Sequence, residues 1–361
     1  MDFLFSGSGI AAAAVAATLG ASTALALAFG DEDPPAGPAE HRAAGTQAAA
    51  IAAGRVFPSK STGMHLAFRE WNPRAEVRMS VVVLHGFGEH CGRYDHVARA
   101  LGERCGAAVF AYDHQGHGAS EGVRAHCKRF SDLVDDAEGF LAFLRASGRL
   151  RDGEPLVILG HSMGGLVAAH LCRRIQDGRV EGVTPHAAGP VPAGASVPFV
   201  GLVLSSPFFK VAAATDTPAL RAASSALSAT LPLLPVVALD VNAVAANASV
   251  RSQYAADPLV YHGMVRARMG AEMSAACASI LASAKELVLP SLHLVFGGSD
   301  TLVDPQGARD VAAACSVAEG GTSEVLELEG SLHEVLNDDR SAEVIDGIAA
   351  FLLRRRAAVS R

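Results

Sequence analysis

Three side chains lying far apart in the chain, Ser162, Asp300 and His333, have the types and order needed to make one activated nucleophile. Ser162 is the centre of Gly160-His161-Ser162-Met163-Gly164, a Gly-x-Ser-x-Gly run. The apolar residues Leu156–Leu159 before it read as a buried strand, and Gly165–Ile175 after it as a helix. A sharp strand-to-helix turn strains the backbone of its central residue and lifts the hydroxyl clear of the sheet edge. The flanking glycines are needed because a Cβ there would collide across the turn. The N–H groups that follow, at the positive end of the helix dipole, face the point where an oxygen becomes negative in acyl transfer. The plainer reading is a Gly-rich turn; the strand before it and the helix after it favour the chemical one.

A serine hydroxyl is a weak nucleophile at neutral pH and needs a base, which in turn needs an orienting carboxylate. Behind such a turn the partners follow in the order acid, then histidine. Leu292–Phe296 and Glu324–Leu328 read as the last two strands. Asp300 is the first carboxylate after the former; Asp304 is the alternative, better suited to starting a helix ahead of Pro305. His333 lies in the loop after the latter. His293 falls inside a strand and His262 inside a long insertion, so His333 is the expected base. Two backbone donors should face the tetrahedral oxygen: Met163 N–H, next to the nucleophile, and Phe87 N–H, in the loop after an early strand.

Other conspicuous residues have simpler readings. His85, His114, His117 and His161 flank turns and are expected to bond loop backbone; no pair has metal-ligand spacing, and the chemistry requires no cofactor. Asp113 precedes the serine, outside the acid-then-histidine order. Asn247-Ala248-Ser249 is a glycosylation sequon. His90 with Asp95, and His333 with Asp338, have the H-x4-D spacing of some acyltransferases, though each residue has another role available.

To position these residues the chain alternates strands and helices. Met64–Trp71, Arg78–Leu84, Ala107–Tyr112 and Phe199–Leu204 read as further strands. Asp95–Gly102, Ser131–Ser147 and Ala342–Arg356 read as helices. The expected fold is α/β: a mostly parallel central sheet with helices on both faces. Two stretches break the alternation. Asp177–Pro198 reads as a surface loop. Residues 207–289 exceed what one crossover helix needs; they are rich in Ala, Leu and Val and read as a lid over the serine.

Half of the 361 residues are hydrophobic, enough for one large core. Net charge is −7, with no basic block beyond Arg354-Arg355-Arg356, which argues against nucleic acid as a partner. The six cysteines form no CxxC pair. Behind a short tail, residues 1–9, Ile10–Phe29 is twenty residues without a charge, long enough as a helix to cross a bilayer core. It reads as a signal-anchor or a cleavable signal peptide, placing the protein at a membrane or in the secretory pathway. Residues 30–55, Ala-, Gly- and Pro-rich, read as a flexible linker. The catalytic core then spans 56–206 and 290–361, on either side of the lid.

With these pieces in place, the chain resembles the monoacylglycerol lipases of the α/β-hydrolase superfamily, which share a domain type with serine aminopeptidases. The resemblance covers about Phe57 to Leu353. It rests on HGFGEHCGRY at 85–94, DHQGHGASEG at 113–122, GHSMGG at 160–165, GGSDTLVDP at 297–305 and EGSLHEVLND at 329–338. It implies Ser162, Asp300 and His333 as the triad, Phe87 and Met163 as oxyanion donors, and hydrolysis of a fatty acyl ester of monoacylglycerol. Lysophospholipases and plant esterases belong to the same circle, so it implies the bond more narrowly than the substrate. The chain departs from the family in the Asp177–Pro198 loop and in the insertion up to Asp257. Other readings carried forward are an esterase of small esters, a serine aminopeptidase, a lipid acyltransferase and a non-catalytic binding protein. Serine at position 162 excludes dehalogenase and epoxide hydrolase chemistry. His85–His90 is not the glycine fingerprint of a dinucleotide-binding fold.

Overall fold

The computed structural model describes residues 38–190, 196–212 and 218–359. The chain opens with helix α1 (Pro38–Ala52) and strands β1 (Val56–Pro58), β2 (His65–Trp71) and β3 (Met79–Leu84). Helix α2 (Asp95–Cys105), strand β4 (Ala107–Tyr112) and helix α3 (Phe130–Ala146) precede the elbow, formed by β5 (Leu156–His161) and α4 (Met163–Gln176). Strands β6 (Val183–Pro185) and β7 (Val197–Ser205) lead to the insertion. The insertion holds α5 (Pro218–Thr230), β8 (Pro235–Val237), α6 (Ala248–Ala256), β9 (Val265–Arg266) and α7 (Ala267–Ser283). The core resumes with β10 (Val288–Leu289), β11 (Leu292–Gly297), α8 (Pro305–Ala314), β12 (Ser316–Val317), β13 (Ser323–Leu328) and α9 (Ser341–Val359).

The main sheet runs β1-β2-β4-β3-β5-β7-β11-β13, with β6 beside β7. Only β1–β2 and β2–β4 pair antiparallel within it; the remaining pairs are parallel. Central strands of a parallel sheet are covered on both faces and so read as unbroken apolar runs. Val81-Val82-Val83 in β3 and Val157-Ile158-Leu159 in β5 are such runs, each fully buried. Helices α3, α4 and α7 bury Phe140, Leu166, Val167, Met273 and Ile280 against one face. Helices α2 and α9 bury Leu101, Ile348, Phe351 and Leu352 against the other. All the parallel strands therefore end at one edge, and the functional loops leave from there.

The structure corrects two readings of the sequence. The stretch expected to be a flexible linker is helical over Pro38–Ala52. Alanine is the best helix former, and the helix is closed by a left-handed Gly54 (φ 64°) with Gly54 N–H bonded to Ile51 O and Arg55 N–H to Ala50 O. The stretch expected to be a surface loop contains β6, whose Val183 and Thr184 align with Val197 and Pro198 of β7. The run is too short to carry a periodic signal; pairing with β7 makes it a strand.

The insertion has two structural characters. Helix α7 joins the main core through Met269, Met273 and Ile280. The region around α6 has a separate small cluster of Val244, Ala245, Tyr254 and Val260. The segment 10–29 lies outside the described residues. Among the described residues, no helix is long and apolar enough to cross a membrane.

Candidate active site

Ser162 stands between β5 and α4 with φ 52° and ψ −120°, a region that L-residues rarely occupy. Such strain persists only where the surroundings over-determine it, and here they do. Ser162 N–H donates to Ser205 O (3.0 Å), and Ser162 O accepts from Phe208 N–H (2.9 Å). A Cβ on Gly160 would lie 2.5 Å from Gly164 O, and one on Gly164 would strike Leu84 O. Both glycines are therefore steric requirements of the turn. Ser162 is buried apart from 8% of its surface.

Asp300 and His333 come together across 33 residues of sequence. His333 Nδ1 lies 2.5 Å from Asp300 Oδ2, and both side chains are buried. The other carboxylate oxygen, Oδ1, accepts from Leu302 N–H (2.9 Å) and Val303 N–H (3.2 Å), which fixes the acid. With Nδ1 committed to the acid, Nε2 is the nitrogen left for a proton from serine. The imidazole of His161, the residue before Ser162, lies 4.9 Å from that of His333 at a tilt of 51°, which places His333 beside the elbow. Among the described residues no hydrogen bond closes from Nε2 to the Ser162 hydroxyl. Such contacts are often loose before substrate arrives.

Burial by itself lowers the pKa of a histidine; at His333 the charge and hydrogen bond of Asp300 outweigh it, with help from Glu334 and Glu89, and the pKa is raised. His161 is pushed down to about 4 by burial and by the adjoining His333. Its Nδ1 meets Ser205 O (3.0 Å). His161 is thus kept neutral, while His333 holds a proton to higher pH than an ordinary imidazole.

The expected oxyanion donors flank the nucleophile. Met163 is the first residue of α4, so its N–H has no acceptor within the helix. Phe87 lies in the loop after β3. There Gly86 approaches the serine so closely that a Cβ on it would lie 3.1 Å from Ser162 Cβ. Gly86 N–H is bound to Glu89 Oε1 (2.6 Å), and Phe87 is the next residue of that loop.

Of the remaining sequence readings one does not hold: the ring of His114, expected to bond loop backbone, has no hydrogen-bond partner at either nitrogen among the described residues. Asp304 caps α8, accepting from Gln306 N–H (2.9 Å). Asp113 accepts from Cys91 N–H and Ala119 N–H (both 2.8 Å) and is structural. His85 Nε2 accepts from His114 N–H (2.9 Å). Neither H-x4-D spacing assembles a pair: His90 meets Asp257 (2.8 Å), Asp95 meets Trp71 and Arg99, and Asp338 meets the insertion backbone. Asn247 of the sequon caps α6 and donates through Nδ2 to Asp339 (2.6 Å). Among the described residues, no group of His, Cys, Asp and Glu is arranged to hold a metal ion.

Sequence reasoning missed a buried ion cluster beside the base. Arg93 grips Glu334 with two bonds (2.5 and 2.6 Å) and reaches Glu89 at 3.4 Å; Glu89 also accepts from Tyr94 Oη (2.6 Å). Two carboxylates share one guanidinium and titrate as a pair. Arg93, His161 and His85 hold Glu89 below the ordinary carboxylate range against burial, while burial and the charge of Glu89 push Glu334 up. The partners Arg93 and Glu334 are 241 residues apart, and no local spacing announces them.

A serine on a strained strand-to-helix turn, with an Asp–His pair beyond the ends of later parallel strands, defines an α/β-hydrolase. Solved structures agree on the fold. The Paleococcus ferrophilus monoacylglycerol lipase superposes with a TM-score of 0.64 at 24% identity, covering 80% of this chain and 99% of that one. A soluble variant of the Saccharomyces cerevisiae monoglyceride lipase, in complex with a substrate analog, gives 0.65 at 18% identity, covering 81% and 92%. The family model described as serine aminopeptidase, S33 (Hydrolase_4) matches residues 75–340, and the chain belongs to that family of serine hydrolases. It is 31% identical to the monoacylglycerol lipase of Mycolicibacterium smegmatis over 81% of this chain and 94% of that protein. It is also 31% identical to the monoglyceride lipase of Rattus norvegicus, over 68% and 73%.

Proposed function

We propose that the protein hydrolyses the fatty acyl ester of a monoacylglycerol or a lysophospholipid, with Ser162 as nucleophile, His333 as base and Asp300 as its orienting acid. The observation that carries the reading is the buried His333–Asp300 pair beside the elbow, in a chain 31% identical to monoacylglycerol lipases. His333 Nε2 takes the Ser162 proton as Oγ attacks the ester carbonyl. The N–H groups of Phe87 and Met163 hold the oxygen that becomes negative; one such donor is worth about 10²–10³ in rate. The tetrahedral adduct collapses, the acyl–oxygen bond breaks, and His333 returns the proton to the departing alcohol. Water then enters, His333 removes its proton, and attack on the acyl-serine releases the fatty acid.

An aminopeptidase would need a free carboxylate for the amine of its substrate. Glu89 and Glu334, the buried carboxylates beside the base, are both engaged by Arg93, which favours an ester. The apolar insertion 207–289 acts as a cap that keeps water from the acyl chain. Retained, the uncharged segment 10–29 holds the protein at the membrane in which such a substrate partitions; cleaved, it sends the protein into the secretory pathway. Carbonate extraction tests the first case: full release of uncleaved protein would remove the anchor.

Ser162→Ala is expected to abolish both fluorophosphonate labelling and release of fatty acid from monooleoylglycerol. Undiminished labelling would transfer the nucleophile elsewhere. A panel of monoacylglycerols, lysophospholipids, aryl esters and aminoacyl amides, run on the purified enzyme, identifies the head group.

A further inference from the structure

The loop carrying His333 is fastened to the insertion at points the reaction does not use. Glu334 N–H donates to Val244 O (2.9 Å). The Asp338 carboxylate, all but 8% buried, accepts from Ala246 N–H through Oδ2 (2.7 Å) and from Asn247 N–H through Oδ1 (3.0 Å). Oδ1 also accepts from Asp339 N–H (3.0 Å). The same stretch of insertion is fastened at its other end to the loop carrying Phe87. Tyr261 N–H donates to Gly88 O (2.6 Å), His90 Nε2 meets Asp257 Oδ2 (2.8 Å), and the Tyr254 ring lies 4.7 Å from the Arg93 guanidinium. Residues 244–261 thus span from the oxyanion loop to the base loop, packed on a cluster of their own.

We propose that Asp338 is a positioning residue for the reaction: by tying residues 246–247 to the base loop, it sets where His333 stands relative to Ser162 and the oxyanion donors. The inference rests on the assignment of Ser162 and His333 proposed above. A buried carboxylate accepting N–H groups makes charge-assisted bonds of fixed geometry, and Asp338 directs two of them at consecutive residues of the insertion. The largest charge effects on His333 are those of Asp300, Glu334 and Glu89, and Asp338 is not one of these. Its influence is therefore geometric, and a shift of about 1 Å at a reacting group costs on the order of 10² in rate.

Asp338→Ala and Asp338→Asn test this, the asparagine keeping one acceptor oxygen. Turnover of a short aryl ester and the rate of fluorophosphonate labelling at Ser162 are measured well below the unfolding temperature. With alanine, kcat and labelling rate are expected to fall about 10–100-fold. KM should stay within about twofold and the acid limb of the pH profile should not move. The Ala246 and Asn247 amides should lose their protection from hydrogen exchange. Asparagine should give a smaller loss in the same direction, and it decides the matter if the alanine variant does not fold. Wild-type kcat and labelling rate with lost amide protection would make Asp338 merely structural and overturn the proposal. So would an acid limb that moves with the rate. A wild-type protein that fails to label at Ser162 overturns the triad assignment and this proposal with it; normal wild-type labelling with unimpaired Asp338 variants overturns this proposal alone.

Discussion

His85, His114 and His117 pack together under the oxyanion loop, with ring centroids 4.4, 5.4 and 6.4 Å apart, whereas His333 stands across the same sheet edge against Asp300. All four imidazoles are buried. Burial lowers the pKa in the first group, taking His117 down to about 3 and His114 well below its ordinary value. At His333 the shift is upward, because a carboxylate bonds one ring nitrogen and two more acids lie nearby. Burial without a carboxylate bonded to the ring keeps a histidine neutral, even at His85 where Asp113 and Glu89 lie near; at His333, burial with one raises the pKa. The two regions share one residue type and one degree of exposure, so the acid partner is what separates a scaffold from a catalyst.

The strongest way to break that comparison is to remove the partner. Asp300→Asn keeps the shape but donates toward Nδ1, which favours the wrong tautomer. We expect kcat to fall by about 10⁴, as carboxylate-to-amide changes do in such triads, measured on an ester substrate with folding checked by circular dichroism. A loss below about tenfold would mean that His333 is not the base.

A smaller change tunes the base without removing it. The base works only when neutral, so a raised pKa keeps it protonated to higher pH, and kcat/KM should rise with pH along an acid limb above that of an ordinary histidine. Glu334 contributes to the raising, so Glu334→Gln should move the limb to lower pH. A limb that stays put, or moves up, would show that Glu334 does not raise the pKa of His333.

The mildest test addresses the inert group. Because the folded-state pKa values of His117 and His161 are about 3 and about 4, their ring proton resonances should not move between pH 5 and 8, while those of His333 should. His117→Gln should leave kcat within a few-fold of wild type. Titration of His117 near neutrality would erase the contrast between the two regions.

Much of this molecule was legible before its coordinates. The buried parallel strands declare themselves as apolar runs, and the elbow declares itself because glycine is the only residue its crowded turn admits. Asp300 and His333 follow from order along the chain, since each loop leaves the same sheet edge. Helix α1 was missed because alanine with glycine and proline reads as a linker until Gly54 is recognised as its cap. Strand β6 was missed because three residues are too few for a period.

The types and order of the proposed reacting groups were written in the sequence alone: serine between required glycines, acid after one late strand, histidine after the next. Only the tertiary structure decided which charges surround them. Arg93 bridges Glu89 and Glu334, and Asp338 holds residues 246–247, because the folding of the sheet brings loops 241 and 92 residues apart to one edge. Local sequence encodes backbone preference and sterics, which act between near neighbours. The electrostatics of a base depend on distances through space, which exist only once the chain has closed on itself.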